Sequence, residues 1–78
     1  MASIADLKSG QRAKIEDVST EQIPLKLLEM GCLPGNTVEV VSISEFKDPM
    51  YLNINDTFLA IRRDIAQLVI VEQIEATL

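Results

Sequence analysis

The sequence contains no histidine and no tryptophan, and only one cysteine, one tyrosine and two phenylalanines. Without histidine it lacks the side chain most used as a general base and as a transition-metal ligand. A single thiol excludes a disulfide framework within the chain and reads as a reducing compartment. With no Trp and Tyr51 as the sole Tyr, there is no aromatic groove of the kind that seats proline-rich ligands. No apolar run approaches the roughly 18 residues that a membrane-spanning helix needs. Met1 to Asp6 has neither the basic flank nor the apolar stretch of a signal peptide. Positive charge is scarce as well: seven Lys and Arg stand against twelve Asp and Glu, a net charge of −5, and only Arg62 and Arg63 are adjacent basic residues. Phosphate neutralisation takes clustered cations, which weighs against nucleic acid as a partner.

What is present is a chain of 78 residues that is 47% hydrophobic, read as a single small domain spanning 1–78. Its three Gly and three Pro cut it into short pieces. Ile4 and Leu7 are apolar anchors ahead of a Ser9-Gly10 turn. Gln11 to Val18 reads as a strand, with Ala13 and Ile15 on one face and Lys14 and Glu16 on the other. A short helix follows, starting either near Thr20 and Glu21 or at Pro24. Ile23, Leu27 and Met30 recur at helical spacing, Leu25 and Leu28 widen that stripe toward the core, and Gly31 stops the helix.

Asn36 to Phe46 is a second strand with a conflict in its parity. Val38 and Val40 belong to one face, Val41 and Ile43 to the other, so the strand must bulge or bend. Lys47-Asp48-Pro49 is a turn; Met50, Leu52 and Ile54 alternate with polar residues as a half-buried strand; Asn55-Asp56 suits a tight hairpin into Thr57–Arg63. Asp64 to Gln67 reads as one helical turn capped by Asp64, Leu68 to Val71 as a last strand, and Glu72 to Leu78 as a frayed tail. Five strands with one short α-helix inserted after the first describe a mainly β protein, a small β-barrel for which the SH3-like type fits best.

Catalytic and metal constellations do not assemble from these residues. Cys32 has no base beside it and no companion ligands, and reads as a small buried hydrophobe. Glu16, Glu21, Glu29, Glu39 and Glu45 are scattered on solvent faces, with Asp48 and Asp56 in turns. Arg62 and Arg63 read two ways: one pairs with nearby acid while the other lies over apolar surface, or together they anchor an acidic partner segment. Leu33, in the Met30–Gly35 loop, is either a core plug or part of a displayed apolar patch.

The order of these pieces resembles the FeoA family, small cytosolic proteins of bacterial ferrous-iron uptake, over Ile4 to Glu72. Leu7-Lys8-Ser9-Gly10 resembles the family's opening Leu-x-x-Gly. Leu27-Leu28-Glu29-Met30-Gly31-Cys32-Leu33-Pro34-Gly35 resembles its Leu-x-x-x-Gly-hydrophobic-x-Pro-Gly helix exit. Lys47-Asp48-Pro49 resembles a Gly-Asp-Pro turn with Lys47 in place of Gly, and Lys26 is the one basic residue left before the helix exit.

The resemblance implies a non-catalytic accessory protein with no cofactor and no agreed metal site, supporting the membrane GTPase transporter FeoB. That role places it in the cytoplasm, recruited to the inner face of the membrane through its partner without inserting. On this reading Leu28, Met30, Leu33 and Pro34 form the partner-binding surface, with Arg62 and Arg63 as charged contributors. Three rivals stand beside it. One is a metal-responsive domain related to the C-terminal domain of DtxR-type iron-dependent repressors, although the Met1 start reads as a stand-alone form. Another holds Fe²⁺ on Asp48, Asp56 and Glu45, and the last is weak self-association through barrel edges.

Overall fold

The computed structural model describes residues 2–74. Its elements are β1 (Ala2–Ser3), a 3-10 turn (Ile4–Asp6), β2 (Arg12–Val18), α1 (Leu25–Glu29), β3 (Thr37–Ile43), β4 (Met50–Ile54), β5 (Thr57–Ile61), α2 (Arg63–Ala66) and β6 (Val69–Ile74). All strand pairs are antiparallel and form one six-stranded sheet in the order β1-β6-β2-β3-β4-β5. The mainly β plan with a short helix after the first long strand is observed, with two corrections. There are six strands because Ala2 and Ser3 pair with Val71 and Ile70. The sheet is also not closed, since the far edge of β5 faces α1 across a groove and meets no strand.

The parity conflict in β3 is resolved by a bulge. Register shifts between Val40 and Ser42, so Val38 and Val40 point into the core, Val41 stays exposed, and Ile43 packs back against the core. A second bulge, between Ile15 and Asp17 in β2, lets Ala13, Ile15 and Val18 all be buried despite their mixed parity. Both bulges bend the sheet around one core, in which Ile4, Ile15, Val38, Val40, Met50, Leu52, Ile54 and Val69 are almost wholly shielded.

Several boundaries differ from the expectation. Ser19–Gln22 is a turn, with the Ser19 carbonyl accepting from the Gln22 and Ile23 amides, and α1 begins only after Pro24. With five residues the helix is too short to bury a wide stripe, so Leu25 is 68% exposed and Ile23 is buried from the preceding turn. β3 ends at Ile43, leaving Phe46 in an exposed turn. Helix α2 starts one residue early, with Arg62 as its N-cap and Asp64 inside the first turn. Glu72 to Ile74 are not frayed: they continue β6 against Lys14, Ala13 and Arg12, while the remainder of that tail lies outside the described residues. The Asn55-Asp56 hairpin forms as expected, with φ of 52° and 65°.

Gly31 ends α1 in a Schellman arrangement: the Cys32 amide donates to the Leu27 carbonyl at 3.0 Å and the Gly31 amide to Leu28 at 3.1 Å. Its φ is +108°, and a Cβ there would lie 3.3 Å from Ile54 Cγ2. Replacing Gly31 by Ala therefore combines backbone strain with a tight contact against the Ile54 side chain of β4. Gly31→Ala is expected to lower stability by roughly 1–3 kcal/mol, read as a lower urea midpoint at unchanged slope.

Candidate functional site

Between α1 and β5 the described surface carries an apolar groove with a basic rim, about 470 Å³. From α1 come Lys26 and Leu27, and from its C-cap Met30; from β5 come Phe58 and Ile61; Arg62 follows at the end of β5. The groove exists because of two features of the chain. Pro24 and Gly31 confine α1 to five residues, so it cannot lie along the full length of β5. Period-2 alternation in β5 then sends Leu59 and Ile61 inward and Phe58 outward, leaving Phe58 69% exposed. The apolar surface continues around Phe58 onto the outer face of the sheet, where Val41, Tyr51 and Ala60 are exposed.

The sequence-predicted residues divide between this groove and other places. Met30 and Arg62 line it. Leu28 is half-buried against the core and does not line the groove. Leu33, 42% exposed, and Pro34 sit on the helix-exit loop outside the groove. Cys32, 1% exposed, is the loop's core plug in place of Leu33. Hydrogen bonds fix that loop: Asn36 Nδ2 donates to the Gly31 carbonyl at 2.7 Å, and the Gly35 amide to Ile15 at 2.8 Å.

The two arginines have different surroundings. Arg62 has a side chain 80% exposed, and its Nε is 3.9 Å from Asp64 Oδ1, too loose a pair to hold it in place. Arg63 instead ties three segments together. Its Nη2 donates to the Ala5 carbonyl at 2.7 Å, its Nη1 to the Lys47 carbonyl at 3.1 Å, and its backbone amide to Asp48 Oδ1 at 2.9 Å. Lys47 adopts φ +69° in that turn, a conformation costing a non-glycine residue roughly 1 kcal/mol. The Arg63 bond to its carbonyl helps hold it there.

Phe58, Leu27 and Ile65 were not read from the sequence as site residues, although the inward parity of Leu59 and Ile61 was a signal for Phe58. The convergence of α1 with β5 is a tertiary feature with no local signal.

No group of three His, Cys, Asp or Glu among the described residues is placed to hold a metal ion. Asp48 and Asp56 flank opposite ends of β4, a five-residue strand of roughly 16 Å, so they cannot share a cation. Burial pushes the Cys32 thiol up from its ordinary value of 9.0, which disfavours the thiolate that nucleophilic or metal chemistry would need. No described helix is long and apolar enough to cross a membrane.

Two outcomes follow from these environments. Arg63→Ala is expected to cost about 1–2 kcal/mol in urea unfolding, because the part-buried Ala5 carbonyl and the Lys47 turn lose their shared donor, whereas Arg62→Ala stays within about 0.5 kcal/mol. Since the folded state holds the Cys32 proton more tightly, its contribution to stability is intact below pH 9.0 and is lost as pH rises past that value. The urea midpoint of the wild type is therefore expected to fall more steeply above pH 9.0 than that of Cys32→Ala.

Comparison with known proteins places this geometry in a family. Residues 2–73 match the model of the FeoA domain. A Porphyromonas gingivalis Fe(2+) transport protein A/Fe(2+) transporter FeoB fusion protein is 34% identical over 74 residues, covering 94% of this chain. The chain spans only 9% of that relative's length. The solution structure of FeoA from Chlorobium tepidum superposes with a TM-score of 0.84 at 25% identity, over 95% of this chain and 71% of that one. The T. acidophilum IdeR crystal structure aligns at a TM-score of 0.78 and 24% identity, over 92% of this chain and 33% of that one, a likeness of fold alone. The fold is thus SH3-like, with an open sheet. By its domain match over nearly the whole chain and by its relatives, this chain belongs to the FeoA family.

Proposed function

We propose that the chain is a non-catalytic accessory protein of bacterial ferrous-iron uptake that docks on the cytosolic part of a FeoB-type membrane GTPase transporter. The observation that carries this reading is the relative in which an FeoA segment and FeoB form one polypeptide. A tether of that kind supplies a millimolar effective concentration, so two partners on separate chains must replace it with affinity. The groove between α1 and β5 offers what affinity needs: an exposed aromatic anchor in Phe58, apolar walls from Leu27 and Met30, and the cations Lys26 and Arg62 on the rim.

In this reading Met30 and Arg62 contact the partner, and Leu33 and Pro34 extend the contact along the helix-exit loop. Leu28, packed against the core, and Arg63, tied to Ala5 and the Lys47 turn, have structural roles outside the groove. Catalysis has no place in it, since the one thiol is shielded and no histidine stands beside it. The chain works in the cytoplasm and reaches the inner face of the membrane through its partner.

Titration against the purified cytosolic domain and the intact transporter, in each nucleotide state, tests the proposal. Saturable one-to-one binding is expected. Phe58→Asp should weaken it at least tenfold, about 1.4 kcal/mol, while moving the unfolding midpoint little because Phe58 is already exposed. Absence of binding in every nucleotide state contradicts the proposal.

A further inference from the structure

Strand β5 is the last strand of an open sheet, and its backbone has an unmet half. The two-residue turn at Asn55-Asp56 makes Ile54 and Thr57 a hydrogen-bonded pair. Alternation then makes Leu52 with Leu59 and Met50 with Ile61 bonded pairs as well. Phe58 and Ala60, opposite Asn53 and Tyr51, must therefore aim their N–H and C=O groups away from β4 at the free edge. No side chain or loop among the described residues bonds to either. That edge borders the groove, whose lining includes Phe58, Ala60 and Ile61.

Free edges are normally blunted by charge, proline, a bulge or brevity. The other edge, β1, is only two residues long. β5 has none of these guards: Thr57-Phe58-Leu59-Ala60-Ile61 contains no charge and no proline, and its register with β4 runs without a shift. Charge narrows the occupant. The chain has twelve acidic residues, yet none lines the groove, and the titratable groups that do are Lys26 and Arg62.

We propose that the free edge of β5 takes up an extended segment of the docking partner as an added strand, apolar toward the groove and carrying acidic residues beside Lys26 and Arg62. This rests on the docking reading above and specifies how the partner is held. Main-chain bonds at Phe58 and Ala60 give affinity, the apolar groove selects alternate side chains, and the two cations fix register. A second copy of this chain is a poorer occupant. Its own β5 would bring another Lys26 and Arg62 with no acid to face them, and both chains carry a net charge of −5.

Amide hydrogen exchange on the isotopically labelled chain, alone and with the transporter's cytosolic domain, reads the added bonds directly. In the free chain Phe58 and Ala60 should exchange much faster than Leu59 and Ile61, and binding should slow the first pair at least about tenfold. Ala60→Pro removes an outward donor without touching the β4 ladder, and Lys26→Glu with Arg62→Glu reverses the rim. Each is expected to weaken binding about tenfold or more, against less than about twofold for the control Lys8→Glu with Lys14→Glu. If Ala60→Pro does not fold, the exchange measurement on the wild type and the rim reversal still decide. Binding at wild-type strength in these variants, with Phe58 and Ala60 exchange unchanged, overturns strand addition and leaves the docking reading standing. Slowing of that exchange with rising concentration of the chain alone assigns the edge to a second copy and overturns the proposal. No binding by the wild type removes the docking reading, and the proposal with it.

Discussion

A β-strand can bury only every second side chain, and the economy of this small protein depends on breaking that rule twice. At Ile15/Asp17 and at Val40/Ser42 an extra residue is let out of register, and each strand changes the face it buries. The two bulges turn a flat sheet into a curled one wrapped around a single core. A chain of this size buries only about 60% of its unfolded surface, so a flat sheet with one apolar face would leave too little shielded. Bending also brings the far ends of the chain together: β6 lies between β1 and β2, and Arg63 reaches the Ala5 carbonyl.

The same curl leaves β5 without a neighbour. Helix α1 approaches it but, limited by Pro24 and by the close passage of Gly31 over Ile54, cannot cover it. The result is a groove with an aromatic anchor, an unpaired edge and a basic rim on a molecule that is otherwise acidic. Acidic surface discourages association elsewhere, while Lys26 and Arg62 mark an apolar entrance where a complementary partner is favoured. A partner that buries Phe58 gains roughly 1.5–3 kcal/mol from that ring alone, enough to set affinity in a small interface.

Features governed by neighbours along the chain were legible in the sequence. The alternation of Met50, Leu52 and Ile54, the positive φ of Asn55 and Asp56, the helix stop at Gly31 and the bulge demanded by Val38 to Ile43 all follow from local rules, and all are observed. The bulge in β2 escaped notice because only Val18 signals it, after a clean alternation of Ala13 and Ile15. Leu25 misled because its helical spacing implied burial, whereas a five-residue helix has no wide face to bury, and the strand expected to reach Phe46 ends at Ile43. Of the site, Met30 and Arg62 could be found from the helix exit and the paired arginines. The roles of Arg62 and Arg63 could not be separated, since only tertiary structure brings the Ala5 and Lys47 carbonyls to Arg63. Phe58 became a site residue through the absence of a neighbouring strand, a property of the whole sheet.

The account stands on one claim, that this FeoA-family chain meets its transporter through the face formed by α1, β5 and the Arg62 cap. Chemical-shift mapping of the labelled chain on addition of the transporter's cytosolic domain tests it most directly. The account predicts perturbed amides concentrated at Lys26 to Met30 and Phe58 to Arg62, with the β1–β6–β2 side unchanged. A map centred on β1, β6 and β2, or no perturbation at saturating partner, would contradict it.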